Sequence, residues 1–466
     1  MEKVHLIGIG GTAMAGLASL LKDRGIEVTG SDKDLYPPMS DFLAQKGIEV
    51  KLGYSASNLD GNIDLVVIGN ALSRGNEEVE AVLERRLPYR SLPEVLRHMF
   101  LEGRRNIVVA GTHGKTTVSS LIAWILKKAG EDPGFFIGGI PKNFGTGAMD
   151  GKGEMFVVEG DEYDTAFFDK RPKFLHYLPW IVTVGALEYD HADIYGDIGQ
   201  LVGAFRALMR IVPRNGRLVI NVDDPLLRLL GEESPCPVVT CSIGGDAHWR
   251  ADGVKVRDGK VIFRVVRQGN PLGECAWGLP GNHNVLNALL ALAACSEAGV
   301  DFSKAREALG EFQGVKRRLE PLGEIGGVIL YDDFAHHPTA IAKGLEALRS
   351  LHPHSRIWAI VEPRSNSMCR KIFEDELPTA LKGADLVIIG KVHRGDSMDP
   401  RVRLDPEKVA MEIRSTGKEA WHIKEVPEIA ALVSREAKEG DVICVMSNGS
   451  FDGIQGLLLE ALARRP

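Results

Sequence analysis

Short apolar runs that end in a glycine or an acid recur along the whole chain, and they constrain its fold more than any other feature. VHLIGI, IDLVVIG, NIVVAG, MFVVEG, WIVTVG, GVILYDD, RIWAIVEP, ADLVIIG and DVICVMS show little polar alternation. Such strands are buried on both faces, as in a parallel sheet covered by helices. The segments between them are long enough for crossover helices, so the fold class is α/β. A chain of 466 residues has room for several domains of this kind. Three blocks emerge in series. The first spans 1–104 and closes on the charged HMFLEGRRN. The second spans 105–320, with a polar and antiparallel excursion expected around residues 236–278. The third spans 321–466.

The 63 acidic side chains outnumber the 56 basic ones, for a net charge of −7. That balance lacks the basic footprint of a nucleic-acid binder. No apolar stretch reaches the roughly 20 residues of a membrane helix, and the opening MEKVHLIGIGGTAMAG is not a signal peptide. The six cysteines form no C-x-x-C pair and read as reduced thiols. A soluble cytoplasmic protein, with neither nucleic-acid nor membrane partners, is expected.

The glycine turn GIGGTAMAG follows the first strand and opens a helix whose apolar face is Met14, Leu17, Leu20 and Leu21. Backbone N–H groups of Gly8, Gly10, Gly11 and Thr12 at such a turn suit a diphosphate. Ser31 and Asp32 end the next strand, about 20 residues on, where an acid suits a ribose hydroxyl. NAD and a UDP-sugar both carry these groups, so the loop does not choose between them. A tight turn that merely packs closely is the plainer alternative.

VVAGTHGKTTVSS opens the second block like a phosphate loop that has lost one glycine, with Val109 in its place. Gly111, Thr112, His113, Gly114, Lys115, Thr116 and Thr117 keep the chemical core. Gly114 lets backbone approach the phosphates, Lys115 reaches the β and γ phosphates, and Thr116 can ligate Mg²⁺. Val118, Leu121, Ile122, Ile125 and Leu126 then share one helix face. FVVEGDEYD supplies Glu159, Asp161, Glu162 and Asp164 at a strand end, and VTVGALEYDHAD supplies Asp190, His191 and Asp193 at another. Ligands gather at the C-terminal ends of parallel strands, where carboxylates such as Glu159 can hold Mg²⁺ and His191 a second ion. GNHNVLN places His283, Asn284 and Asn287 at a helix start, to hold an adenine or simply to cap the helix.

Taken together and in this order, these motifs resemble the Mur ligase family, over essentially the whole chain. The carrying stretches are Gly111–Thr117, Val157–Glu159, Asp190–Asp193, Gly281–Asn287, Arg317 and Arg318 in VKRRLE, and YDDFAHHPT at Tyr331–Thr339. The resemblance implies a Rossmann-like UDP-binding domain, a central P-loop ATPase domain and a Rossmann-like C-terminal domain for the incoming peptide. It favours UDP over NAD in the first loop. It implies that ATP phosphorylates a carboxylate and that an amine then attacks the acyl phosphate. Lys115, Glu159, His191 and Arg318 are the implied catalytic groups, with Thr116, Glu159 and His191 on Mg²⁺. His283, Asn284, Asn287, Asp333 and His336 complete the ATP site. Either Arg317 or Arg318 faces the phosphate.

Within the family, GSDKDLYPPMS, DEYDTAFFDKRPKFLHY, EPRSNSM and VMSNGSFDGI resemble the branch that joins UDP-N-acetylmuramate to L-alanyl-γ-D-glutamyl-meso-diaminopimelate in peptidoglycan recycling. Arg364, Ser365, Asn366, Ser447 and Asn448 are then the peptide-binding candidates, Arg364 being suited to a carboxylate. A monomer of the bacterial cytoplasm is implied. The branch that adds L-alanine is the enzyme alternative. A non-catalytic nucleotide-binding regulator and an NAD(P)-dependent oxidoreductase are alternatives of other classes. Two departures stand out: Ala186 replaces the family's usual asparagine, and Ser450 and Asp452 replace usual glycines. No lysine lies between His191 and Asp252, so the carbamylated lysine of other branches has no counterpart.

Overall fold

The computed structural model describes residues 1–35 and 39–465. Tyr36, Pro37 and Pro38, in the GSDKDLYPPMS stretch, lie outside the described residues. The apolar runs become strands of three large sheets. The first is parallel, in the order Glu49–Leu52, Glu27–Asp32, Lys3–Ile7, Leu65–Ile68, Tyr89–Ser91. The chain starts in the middle of this sheet and builds outward both ways, which opens a crevice at the C-terminal end of Lys3–Ile7. Met14, Leu17, Leu20 and Leu21 of helix Thr12–Asp23 are all buried against it.

The central sheet has ten strands. Its parallel middle runs Arg217–Asn221, Pro179–Val184, Arg105–Ala110, Met155–Glu159. The polar excursion is antiparallel over Trp249–Arg257, Lys260–Arg267 and Asn270–Trp277. Its expected first residues behave differently: Val238–Ile243 pairs parallel to Arg217–Asn221, because its buried Val239 and Cys241 belong to the central core. Helices Lys115–Lys128 and Asn282–Glu297 cover one face. The second is alanine-rich and buried nearly all round, from Ala288 to Cys295, as a helix apolar on every side must be. Leu121, Ile122, Ile125 and Leu126 are fully buried, each contributing about 1.5–3 kcal/mol relative to exposure. This packing fixes the N-terminus of the phosphate-loop helix in space.

The third sheet runs Glu320–Ile325, Val328–Asp333, Val442–Met446, Ile357–Val361, Leu386–Ile389, Glu419–His422, with only the first strand antiparallel. Polar contacts tie the three units around one cleft. Asn70 Nδ2 donates to Asp164 O at 2.7 Å, Ser367 Oγ to Asp190 Oδ1 at 2.8 Å, and Asn366 Nδ2 to Asp193 Oδ2 at 2.7 Å. No helix among the described residues is long and apolar enough to cross a membrane.

Candidate active site

Strand Arg105–Ala110 delivers the phosphate loop. Val109, in place of the lost glycine, is still inside the strand and packs into the core at 1% exposure. The turn needs glycine only further on. Gly111 has φ +121° and Gly114 has φ +81°, a region that side chains disfavour. A Cβ on Gly114 would stand 2.4 Å from Asn287 Oδ1, and one on Gly111 would stand 2.9 Å from Ala186 O. The loop is also pinned to the next strand end: Thr112 N donates to Ala186 O at 2.9 Å and Thr112 Oγ1 to Glu188 O at 3.0 Å. Ala186 thus supplies its backbone to the loop.

The loop opens onto a cavity of about 840 Å³ walled by all three domains. Lys115, Thr116, Glu159, His191 and Arg318 line it together. Lys115 Nζ lies 2.7 and 3.0 Å from the two Glu162 oxygens, and His191 Nε2 lies 2.9 Å from Glu162 Oε1. Burial alone would raise the pKa of Glu162, but Lys115 and His191 more than offset it and hold the carboxyl ionised. Burial works against charge on Lys115 and His191 as well; in both, Glu162 wins and the pKa is raised. His191 sits at φ +58°, a left-handed conformation that turns its ring back onto Glu162.

Thr116 Oγ1 donates to Glu159 Oε1 at 3.0 Å, and Gly138 N donates to Glu159 Oε2 at 2.8 Å. A hydroxyl and a carboxylate this close form the hard oxygen set that Mg²⁺ takes, so the residues fit that ion. His191 points to Glu162 rather than to Glu159. Arg318 Nη2 donates to Thr116 Oγ1 at 3.0 Å. Its neighbour Arg317 instead meets Asp332 Oδ2 at 3.0 Å and the carbonyls of Ser447 and Gly449 at 2.7 Å. Arg318 is the arginine at the phosphate loop.

His283, Asn284 and Asn287 line the same cavity, and Asn287 stands beside the phosphate loop, its Oδ1 being the atom a Cβ on Gly114 would meet. Asn284 Nδ2 donates to Pro280 O at 2.8 Å and Asn287 Nδ2 to Asn284 Oδ1 at 3.1 Å. Burial lowers His283 to about 4 and His336 to about 4, so both rings are neutral. Asp333 closes the cavity from the third domain. Burial raises it to about 6, against the opposing charge of Arg318.

The first-domain loop lies outside this cavity's lining, although Ala13 and Met14 of its helix reach in. Gly8 has φ +82°, and Gly10 N donates to Asp32 Oδ2 at 2.8 Å. Gly11 caps the helix that begins at Thr12. Asp32 therefore closes on the glycine turn itself, with Tyr54 Oη 3.3 Å away. Ser31 departs from its expected role: its side chain is fully buried and donates to Glu78 Oε2 at 2.5 Å, which leaves no hydroxyl for a ribose.

The peptide-binding candidates divide. Asn448 lines the cavity. Ser447 donates to Glu362 Oε2 at 2.5 Å and Arg364 Nη1 to Glu362 Oε1 at 3.1 Å. A Cβ on Gly449 would fall 1.9 Å from Arg364 Nε, so the glycine is what lets this arginine lie across the loop. Asn366 bridges to Asp193, and Ser365 Oγ donates to His336 O at 3.4 Å. Asp452, in place of glycine, adopts φ +47°, where glycine is favoured.

Sequence reasoning left Glu162, Glu188 and His337 out of the site. Glu162 stood in a quoted acidic stretch, but nothing in spacing separates it from Asp161. Its partners come from distant strand ends, and only the fold joins them.

Family profiles cover the chain in the same order as its sheets. Residues 3–104 match the Mur ligase family, catalytic domain; residues 109–295 the Mur ligase middle domain; residues 317–449 the Mur ligase, glutamate ligase domain. Among curated relatives, the UDP-N-acetylmuramate–L-alanyl-γ-D-glutamyl-meso-2,6-diaminoheptandioate ligase of Escherichia coli K12 is 44% identical over 464 residues, 99% of each chain. The UDP-N-acetylmuramate–L-alanine ligase of Delftia acidovorans is 34% identical, over 100% of this chain and 97% of that one. Among solved structures, a murein peptide ligase from Psychrobacter arcticus 273-4 superposes with a TM-score of 0.75 at 34% identity, over 100% and 99% of the two chains. UDP-N-acetylmuramate-alanine ligase from Thermotoga maritima reaches a TM-score of 0.82 at 25% identity, over 99% of each. With all three profiles matched in series and a full-length relative at this identity, the chain belongs to the Mur ligase family.

Proposed function

We propose that this protein is an ATP-dependent ligase. It joins the lactyl carboxylate of UDP-N-acetylmuramate to the amine of L-alanyl-γ-D-glutamyl-meso-diaminopimelate, releasing ADP and phosphate. The observation that carries the reaction type is the meeting of Lys115, Thr116, Glu159, His191 and Arg318 around one cavity shared by three domains. The observation that carries the substrate is the full-length likeness to a ligase of that name in Escherichia coli.

A free carboxylate resists attack by an amine, because oxide would have to leave. Transfer of the γ-phosphoryl group to it makes phosphate the leaving group. The protein then has to position the reactants and balance charge. Lys115, with its pKa raised, brings a fixed positive charge to the γ-phosphate. Arg318, beside Thr116, is placed to meet charge on the phosphoryl group in transfer. Glu162 orients Lys115 and His191 together. His283, Asn284 and Asn287 receive the nucleoside, and Asp333 and His336 cover it from the third domain. Thr116 and Glu159 would hold Mg²⁺, with His191 as the candidate for a second ion. Bound there, Mg²⁺ would neutralise phosphate charge. Gly8, Gly10, Gly11, Thr12 and Asp32 are assigned to UDP, and Arg364, Ser365, Asn366, Ser447 and Asn448 to the peptide. We place the enzyme as a monomer in the bacterial cytoplasm.

The TM-score of 0.82 to an alanine ligase favours one other reading, in which L-alanine is the amine. Phosphate release from ATP and product mass, measured with UDP-N-acetylmuramate, Mg²⁺ and either tripeptide or L-alanine, separate the two. Release with tripeptide alone is expected. Release with L-alanine alone overturns the substrate assignment, and release with neither overturns the enzyme.

A further inference from the structure

Three metal-ligand side chains meet at the seam of the central and C-terminal domains, apart from the Lys115–Glu162–His191 cluster. His113 comes from the phosphate loop, Glu188 from the segment after strand Pro179–Val184, and His337 from the N-cap of helix Pro338–Leu351. His113 Nε2 lies 3.4 Å from Glu188 Oε2, and His337 Nδ1 lies 3.8 Å from the carboxylate oxygen His113 meets. All three donor atoms fall within 4.8 Å of one another. Around a tetrahedral Zn²⁺ with bonds of about 2.0–2.2 Å, donor atoms stand about 3.3–3.6 Å apart. Small side-chain rotations bring these three to that spacing.

The surroundings favour the same use. His337 Nε2 faces Tyr189 O at 3.2 Å. A ring N–H donated to a carbonyl leaves the Nδ1 lone pair toward the cluster, which is how a metal-binding histidine is commonly oriented. Nδ1 accepts from Thr339 N at 3.2 Å, a bond that a cation would replace. Thr339 Oγ1 donates to Glu188 Oε2 at 2.5 Å and holds the carboxylate in place. Lys343 Nζ, 3.9 Å from Glu188 Oε1, is the opposing charge; its side chain is 40% exposed and can turn to solvent.

The geometry points to a transition-metal site formed by His113, Glu188 and His337, which takes a borderline-soft divalent cation such as Zn²⁺ and bridges the central and C-terminal domains. Two imidazoles and one carboxylate select against Mg²⁺, which prefers oxygen throughout. The site lies in the wall of the same cavity as Thr116 and Glu159 but uses neither of them, and its occupation does not depend on which amine the enzyme uses.

The test uses the full chain without an affinity tag, stripped of metal and held in excess Mg²⁺ without nucleotide. Zn²⁺ is titrated by calorimetry, and Co²⁺ absorbance reports the geometry. The expected result is one tight Zn²⁺ per chain, a tetrahedral Co²⁺ spectrum and a Zn²⁺-dependent rise in Tm. His337→Asn keeps a side chain able to cap the helix, and Glu188→Gln keeps an acceptor for Thr339. Either should weaken Zn²⁺ at least about tenfold, since even lesser changes around metal sites do so, and should abolish the Co²⁺ spectrum. Absence of tight Zn²⁺ binding by the unmodified protein overturns the site. So does equal Zn²⁺ affinity in the variants. Should His337→Asn fail to fold, Glu188→Gln alone decides by the Co²⁺ spectrum.

Discussion

Glu162→Ala removes the one carboxylate that both Lys115 and His191 share. The Glu162 side chain is 1% exposed and that of Lys115 is 14% exposed, so water restores little to either. Breaking a buried pair by deleting one partner costs about 3–5 kcal/mol, because the remaining charge is stranded. In a unit the size of the central domain, 1 kcal/mol moves Tm by about 2–4 °C. The ligand-free variant should therefore melt roughly 6–20 °C below the unmodified protein. The pH dependence has a definite sign. The Glu162 pKa is depressed from 4.5, so its contribution is complete above pH 4.5 and is lost as pH falls through the folded value. The His191 pKa is raised from 6.5, so its share is complete below pH 6.5 and is lost as pH rises through the folded value. The difference in Tm should be widest between pH 4.5 and 6.5. Above that it should narrow to the part owed to Lys115. Scanning fluorimetry from pH 4.5 to 9 measures it directly, the lower limit being the ordinary pKa of Glu162. A difference under about 2 °C, or one that grows from neutral to alkaline pH, would refute the shared-carboxylate account.

Two further substitutions test the loop and its arginine. Gly114→Ala must hold a side chain at φ +81° with its Cβ 2.4 Å from Asn287 Oδ1. The left-handed conformation alone costs about 1–2 kcal/mol; a loop that relaxes to escape it must recover that much on binding, so ATP affinity measured by calorimetry should fall roughly 5- to 30-fold, and unchanged affinity counts against the loop assignment. Arg318→Lys keeps the charge but loses the planar group that bonds Thr116 and lies 4.9 Å over the Phe334 ring. At about 1.5–3 kcal/mol for a charged hydrogen bond, kcat should drop roughly 10- to 100-fold while UDP-N-acetylmuramate binding is kept. Full turnover would remove Arg318 from the reaction.

Much of the fold was legible because burial on both strand faces leaves an imprint in sequence. Each apolar run quoted at the outset is a strand core, and the helix after the phosphate loop buries the face its spacing marks. The parallel pairing of Val238–Ile243 was not legible, because a strand at the margin of a polar excursion shows no pairing direction in its residues. Side-chain partners were the least legible. Ser31 beside Asp32 reads as one of a polar pair, yet strand alternation sends it inward to Glu78. Arg317 and Arg318 are equivalent in sequence, and only the backbone between the domains separates them.

That backbone ties the site to the docking of the domains. Arg317 has φ +60° and Leu319 has φ +44°, each of order 1–2 kcal/mol less favourable than the ordinary helical or extended backbone. Such a conformation persists only where its surroundings over-determine it. Arg317 is held by Asp332, Ser447 and Gly449, all of the third domain, while Arg318 is turned to Thr116 in the second. Consecutive arginines thus grip opposite sides of the junction. Arg318 reaches the phosphate loop because Arg317 anchors the segment to the third sheet, whose neighbours Ser367 and Asn366 fasten to Asp190 and Asp193. On the proposed assignment of Arg318 to the phosphoryl group in transfer, the docked third domain delivers that charge, because the junction that seats Arg318 on Thr116 is the one that holds Arg317 to the third sheet.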